Sequence, residues 1–416
     1  MAAPSWQSSM GFVERLAVVE KIATALSLSN PQILRAQAMS MAQQVEDGIL
    51  SRAYSKEDYI RLWTAKLAEL QAAAASKTSS EAVPDSPTVS LAGSSGSGSD
   101  INSHFFHQQE QVESIGPYKT ATHIASGLFS SIYKALLESS DPHKKQLVAL
   151  KVTSLSSQQP PHNSKQEAHI INSLPPHPNI IKLLDTFTLP PSTFVLVLPF
   201  LPHTLASSLE KRLVPTQWRA LSIIRDVLSG LAHIHKHGII HRDIKPSNIL
   251  FLACLGPAII ADFGIAYTPG GEEKEDDKIT DVGTTCYRAP ELLFGHRGYG
   301  RGVDMWATGC VLAECIRGGE ALFEAGDLGS ELRLIASIFR TLGTPNSESW
   351  PETKHFPDFK KIQFHQMPAK PWEELLPNGT PLMRDLASKL LRYESGDRIS
   401  AEEALKHPVF EGVPQE

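Results

Sequence analysis

Apolar positions near the start of the chain recur every three to four residues. Phe12, Leu16, Val19, Ala23 and Leu26 fall on one stripe, which predicts an amphipathic helix. Asn30-Pro31 then supplies an N-cap followed by proline at the first helical position. It opens a second helix carrying Ile33, Leu34, Ala38, Met41, Val45 and Ile49. Ser55-Lys56-Glu57-Asp58 resembles a capping box and predicts a third, with Tyr59, Leu62, Trp63, Lys66, Leu67 and Leu70 on it. The periodicity stops at residues 78–100, a Ser/Gly/Pro-rich stretch without aromatics that has almost nothing to bury and reads as a flexible linker. Beyond residue 118 the pattern alternates between apolar strands, such as Val148-Ala149-Leu150-Lys151, and helical runs, such as Glu167 with Ile170, Ile171 and Leu174.

Composition narrows the possibilities. With 41% apolar and 20% charged residues in 416, a large core is expected. The net charge of −6 argues against nucleic-acid binding, which needs a basic face. The first block, with equal numbers of acidic and basic side chains, offers an apolar groove and not an electrostatic grip. Four scattered cysteines, with no C-x-x-C pair, predict neither a disulfide framework nor a cysteine-rich zinc site. The longest apolar run, 249–261, is broken by Gly256-Pro257 and is too short to span a bilayer. The N-terminus lacks the layout of a signal peptide, so a soluble chain without membrane contact is expected.

Residues 45–71, from Val45-Glu46 through Ala53, Ser55, Tyr59, Leu62, Lys66 and Gln71, resemble the last two helices of the KIX domain, a coactivator module. The resemblance implies binding of an amphipathic activation-domain helix. The same periodicity would serve an ordinary small helical bundle.

The second block carries an ordered set: Lys151, Glu167, His241-Arg242-Asp243-Ile244-Lys245-Pro246-Ser247-Asn248, Asp262-Phe263-Gly264 and Ala289-Pro290-Glu291. Each alone is weak, but together and in this order they resemble the protein-kinase signature. Phosphoryl transfer needs an in-line geometry and neutralised phosphate charge more than covalent help. The resemblance implies ATP and Mg²⁺ as cofactors. Lys151 would hold the α- and β-phosphates and Glu167 would orient it. Asp262 and Asn248 would ligate Mg²⁺, Asp243 would meet the acceptor hydroxyl, and Lys245 would meet the γ-phosphate. Around the nucleotide it implies Ile124, Gly127, Ile132, Ala149 and Leu250, with the hinge carbonyl from Pro199 and the hinge N–H from Leu201. The H-R-D-x-K-P-x-N loop with Lys245 resembles that of serine/threonine kinases, which implies serine and threonine as acceptors.

Two departures stand out. The family's G-x-G-x-x-G aligns with Ala125-Ser126-Gly127-Leu128-Phe129-Ser130, keeping only the middle glycine, so a stiffer loop is expected. Leu128 and Phe129 leave no hydroxyl where cyclin-dependent kinases carry an inhibitory Thr-Tyr pair. Tyr287-Arg288, Asp304-Met305-Trp306, Leu342-Gly343-Thr344-Pro345 and Trp350-Pro351 resemble the cyclin-dependent kinase group, in which Arg398 would pair with Glu291. The three arginines that hold an activation-loop phosphothreonine in that group correspond here to Gln166, Arg242 and Tyr267. One guanidinium would face a phosphate near Thr280.

With Pro160-Pro161-His162-Asn163, Leu198-Pro199-Phe200, Lys278-Ile279-Thr280-Asp281 before Gly283-Thr284, and residues 330–339, the chain looks closest to fungal single-subunit CDK-activating kinases. That resemblance implies the activation-loop threonine of a cyclin-dependent kinase as substrate, activity as a monomer without cyclin or loop phosphate, and a nuclear or cytoplasmic location. A cyclin-requiring kinase and a catalytically weak scaffold remain the alternatives.

The expected fold class is α+β: a bilobal protein-kinase fold with a β-rich N-lobe and helical C-lobe over 117–411, preceded by an all-α three-helix bundle over 9–75 and a linker over 76–116. Residues 270–278 hold five acidic and two basic side chains, read either as a solvated loop or as a dock for a basic surface. Ser86-Pro87 is a candidate phosphosite, and Lys144-Lys145 is too short for a nuclear signal.

Overall fold

The structure, a computed structural model, describes residues 112–413 except 128, 138–145, 212–214, 327–328 and 362, together with residues 52–78 and part of the stretch 18–49. The sequence expectations at Phe12, Leu16, Ala23, Asn30-Pro31, Ile33, Leu34 and Ala38, the linker with Ser86-Pro87, Leu128 and Lys144-Lys145 lie outside the described residues. The chain divides into two units, residues 1–105 and 106–416.

In the first unit, helical residues between 18 and 26 and between 41 and 49 precede helix α1 (Lys56–Thr78). Ser55 caps α1 by accepting the N–H of Asp58 at 3.2 Å. Val18, Val19, Ile22, Ala42, Ile49, Ala53 and Tyr59 form its core. Glu46 is buried among them, and its carboxylate accepts the Tyr59 hydroxyl at 2.7 Å, which joins α1 to the preceding helical segment.

The second unit begins with an antiparallel sheet. Strands β1 (Val112–Ile115), β2 (Tyr118–Ser126), β3 (Ser130–Leu137), β4 (Gln146–Ser154), β5 (Asp185–Leu189) and β6 (Thr193–Pro199) lie in the order β1-β2-β3-β4-β6-β5. Helix α2 (Ser164–Ser173) interrupts the strands. Its N-cap Asn163 accepts the N–H of Gln166 at 2.9 Å. Beyond β6 the chain turns mostly helical. A small sheet of β7 (His203–Thr204), β8 (Ile249–Phe251) and β9 (Ile259–Ile260) accompanies helices α3 (Leu205–Glu210), α4 (Gln217–Lys236), α5 (Gly302–Ile316), α6 (Glu331–Leu342) and α7 (Pro381–Leu390). Helix α5 is predominantly apolar, and every residue from Val303 to Ile316 is buried, Asp304, Thr308 and Glu314 among them. The two-lobed α+β architecture that the kinase resemblance implied is therefore present. Among the described residues no helix is long and apolar enough to cross a membrane.

One buried ion pair ties the helical lobe together. Arg398 donates in parallel to both carboxylate oxygens of Glu291, at 2.5 and 2.7 Å, and both side chains are fully shielded from water. Its remaining donors reach the carbonyls of Arg392, Tyr393 and Gly302. Arg398→Ala would leave the Glu291 carboxylate buried without its partner, at a cost of about 3–5 kcal/mol. The expected result in thermal unfolding is a clear fall in Tm, and an unchanged Tm would deny the pair a structural role.

Candidate active site

Lys151 lies on β4 opposite Ile132 of β3 and Leu196 of β6, and side chains two apart on a strand share a face. Ile132, Ala149 and Lys151 therefore sit on the same side of the sheet. The Lys151 ammonium donates to both oxygens of Glu167, at 2.8 and 2.7 Å, and to Asp262 Oδ1 at 2.6 Å. Burial opposes its charge, but the Asp262 and Glu167 carboxylates outweigh that and hold Lys151 above the ordinary lysine value. Burial pushes Glu167 up, against the pull of Lys151. For Asp262 desolvation is outweighed by the Lys151 ammonium, which holds its carboxyl well below the usual range.

Helix α2 delivers Glu167 because its start is tied to the segment after Asp262. Asn163 N–H donates to Gly264 O at 3.0 Å, and the Gln166 amide donates to Ala266 O at 3.3 Å. The Phe129 ring packs 4.6 Å from that of His162, just ahead of the helix. The loop between β2 and β3 is braced by polar side chains. His123 pairs with Ser126 at 2.8 Å, Ser126 with Ser131 at 3.3 Å, and Gly127 N–H reaches Ser130 O at 2.7 Å. A Cβ at Gly127 would stand 3.6 Å from Ser130 O, an ordinary contact, so the turn does not need glycine for space.

The second cluster centres on Asp243. Asn248 donates to its carbonyl at 2.8 Å and to Oδ2 at 3.0 Å, and Lys245 meets Oδ2 at 2.7 Å. Thr284 donates its hydroxyl to Asp243 Oδ1 at 2.9 Å and accepts from Lys245 Nζ at 2.7 Å. Gly283 makes this approach possible. Its φ is +78°, and a Cβ there would lie 2.7 Å from the carbonyl of Arg242. Beside the cluster runs a groove of about 290 Å³ whose lining includes Glu210, Lys245, Ser247, Thr284, Tyr287 and Glu314. Neither Glu210 nor Glu314 was singled out from sequence, because no motif contains them.

The residues expected around adenine divide among separate elements. Ile124 is at the β2 bulge and 47% exposed, Ile132 and Ala149 are on β3 and β4, and Leu250 is on β8. Pro199 closes β6, with Leu201 just beyond it. Asp262 Oδ1 carries the contacts to Lys151 and Gly264 N–H, and the Asn248 amide nitrogen is engaged by Asp243. Asp262 Oδ2 and Asn248 Oδ1 are the hard oxygen donors that suit Mg²⁺. Among the described residues no group of three or more His, Cys, Asp or Glu side chains is gathered for a metal.

The protein kinase domain model matches residues 118–410. The chain belongs to the protein kinase family. A KIX domain model matches residues 3–81 of the same chain. Serine/threonine-protein kinase csk1 of Schizosaccharomyces pombe is 37% identical over 280 residues, 66% of this chain and 88% of that protein. Human cyclin-dependent kinase 20 is 34% identical over 274 residues, 65% of this chain and 77% of that one. Among solved structures, a chain of the yeast RNA Pol II CTD kinase CTDK-1 complex matches with TM-score 0.60 at 29% identity, covering 71% of this chain and 94% of its own. A chain of the Chaetomium thermophilum CAK complex bound to ATP-gamma-S matches with TM-score 0.62 at 27% identity, covering 70% and 90%. The protein is a serine/threonine kinase of the cyclin-dependent kinase group, a family that uses ATP and Mg²⁺.

Two residues of the kinase matter more than their sequence context suggested. Asp304, noted from sequence only as part of a family-like tripeptide, is buried in the first turn of α5. It accepts the backbone N–H groups of His241 at 2.9 Å and Arg242 at 2.8 Å, and it pairs with His235 at 2.8 Å. Burial works to raise its carboxyl, but the His235 ring and these N–H groups hold it below the usual range. The catalytic loop is thus bolted to a buried helix, and Arg242 is held at φ +68°. The second is Glu273. The acidic run at 270–278 does not point uniformly into solvent: Glu273 turns inward onto Arg242, while Asp277 pairs with Arg297 at 2.6 Å. Gln166 and Tyr267 both face this segment. The Lys278 ammonium lies 4.9 Å from the Tyr267 ring centre.

Asp304→Asn keeps one acceptor oxygen and replaces the other with a donor that faces a backbone N–H. The expected loss is about 1.5–3 kcal/mol of stability, with a slower transfer rate, read by thermal unfolding and steady-state kinetics on the same preparation. An unchanged Tm would show that the loop is anchored elsewhere.

Proposed function

We propose that this kinase transfers the γ-phosphate of ATP to the activation-loop threonine of a cyclin-dependent kinase and does so without a cyclin. The observation that carries the second half is the set of contacts within the chain that hold Glu167 on Lys151. Asn163 is bonded to Gly264, Gln166 to Ala266, and the Phe129 ring packs at a tilt against His162. A helix tied in this way at its own N-terminus has less need of a partner to press it inward. The first half is supported by the sequence resemblance to fungal single-subunit CDK-activating kinases and by the likeness to a chain of a CAK complex.

In this reading Lys151, oriented by Glu167, contacts the α- and β-phosphates, with the adenine between Ile124, Ile132, Ala149 and Leu250. Pro199 keeps the carbonyl that the hinge offers, and Leu201 provides the N–H. Gly127 lies over the phosphates. Asp262 and Asn248 would hold Mg²⁺, which when bound offsets phosphate charge. Asp243 accepts the proton of the acceptor hydroxyl as the new P–O bond forms and the bond to the β-phosphate oxygen breaks, releasing ADP. Lys245 stabilises the transferring group, and Thr284 orients Asp243 and Lys245. The N-terminal unit, with a groove of about 630 Å³ whose lining includes Leu26, Met41, Val45, Ile49 and Leu62, would take an amphipathic helix of a partner and bring the kinase to it.

The test is to incubate the purified chain with MgATP and a catalytically inactive, monomeric cyclin-dependent kinase, and to map phosphate by mass spectrometry. Phosphate on the loop threonine without any cyclin is expected. Transfer only after a cyclin is added would make this an ordinary cyclin-dependent enzyme. Neither transfer nor a thermal shift with MgATP would make it a scaffold. Asp243→Asn should lower kcat by about 10²–10⁴-fold while leaving the MgATP-induced shift in place. Retained turnover would remove Asp243 from its assigned role.

A further inference from the structure

Arg242 lies beneath the activation segment with its side chain completely withdrawn from water. A guanidinium in that position needs an anion, because an unpaired buried charge is strongly destabilising. Each of its three nitrogens is engaged. Nε reaches Ile265 O at 2.6 Å, and one terminal nitrogen reaches the Tyr299 hydroxyl at 2.9 Å. The two terminal nitrogens grip Glu273 in a parallel fork at 2.8 and 2.6 Å. The same Glu273 carboxylate accepts the N–H of Ile279 at 2.8 Å. The Ile279 carbonyl in turn accepts the Tyr299 hydroxyl at 2.6 Å. Arg242, Glu273, Ile279 and Tyr299 form a closed ring of hydrogen bonds that clamps the backbone of Ile279 on both sides.

From that clamp the chain runs five residues to Thr284, whose hydroxyl touches Asp243 and Lys245. The intervening turn is short: Val282 N–H bonds Thr280 O at 2.9 Å, and Gly283 passes against the Arg242 carbonyl. The register of Ile279 therefore determines where Thr284 arrives. Charge balance points the same way. One carboxylate neutralises one guanidinium, whereas a phosphate of nearly two negative charges on the adjacent Thr280 would have to displace Glu273 to reach it.

We infer that Glu273 is a positioning residue, a built-in carboxylate counter-ion to Arg242 that holds the activation segment in the shape presenting Thr284 to Asp243, so that the segment needs no phosphate. The inference rests on the role proposed above for Asp243, not on the identity of the protein substrate.

The test uses the full chain, a degenerate serine/threonine peptide pool as acceptor, and amide hydrogen exchange over residues 274–284. The pool separates this question from substrate choice. A wild type that modifies the pool but no cyclin-dependent kinase overturns the substrate reading, while the Glu273 comparison is still scored on the pool. Phosphatase treatment should leave the wild-type rate unchanged. Glu273→Gln should lower kcat for the pool by about 10–100-fold, the scale of hydrogen bonds to a charged partner. It should also speed exchange at Ile279 and leave KM for ATP in place. Glu273→Asp, which keeps the charge, should recover part of both losses. The inference is overturned by wild-type rate and protection in Glu273→Gln, by equal losses in the two variants, or by a wild type that phosphatase inactivates. If no acceptor is turned over, the exchange data decide: unchanged protection of Ile279 in Glu273→Gln overturns it.

Discussion

A fully buried guanidinium sets the terms for everything around it. Arg242 cannot shed its proton, so the fold must supply an anion and acceptors for its donors. It does so with Glu273, the Tyr299 hydroxyl and the Ile265 carbonyl. Glu273 and Ile265 belong to the segment after Asp262, and Tyr299 to the stretch before α5. Satisfying one side chain therefore brings two other stretches of the chain against the loop that carries Asp243.

The backbone of the same residue is constrained as tightly. Asp304, anchored in a helix with no exposed face, accepts the N–H groups of both His241 and Arg242 and keeps Arg242 in the left-handed region. Asp262 adopts a similar φ of +68°. Each such conformation costs on the order of 1–3 kcal/mol and persists only because its surroundings leave no alternative. The strain sits at Asp262 and at the residue before Asp243, and at Arg242 the packing of α5 holds it there through Asp304. Across the cleft, Lys151 acts as the matching hub, joining β4 to α2 through Glu167 and to the far segment through Asp262. The link from Asn163 to Gly264 then makes the helix position and the Asp262 position one structural variable.

Much of this was legible along the chain. Asp243, Lys245 and Asn248 lie within one loop, so their spacing alone places them together. Lys151 and Glu167 could be paired because a lysine on an apolar strand and a helix-borne carboxylate sixteen residues on are parts of one ordered motif. The pairing of Arg398 with Glu291 followed from family resemblance and is realised in the structure. The loss of glycines at 125 and 130 pointed to a stiffer loop, and the sequence even contains the means, since His123, Ser126 and Ser131 supply the bracing. That these three side chains would meet, however, depends on the register of β2 against β3.

Local sequence determined the elements, the order of the motifs and the chemical types gathered at the site, because periodicity, capping and short-range spacing act over a few residues. Only the tertiary structure decided which of five acidic side chains in the run at 270–278 turns inward to meet Arg242. All five have the same sign and similar local context, and the choice depends on where the loop crosses a buried charge thirty-one residues upstream. Only the tertiary structure made Asp304 a keystone, since the N–H groups it accepts lie more than sixty residues earlier. Charge can be counted along a chain, but its burial, and therefore its energetic weight, exists only once distant segments close over it.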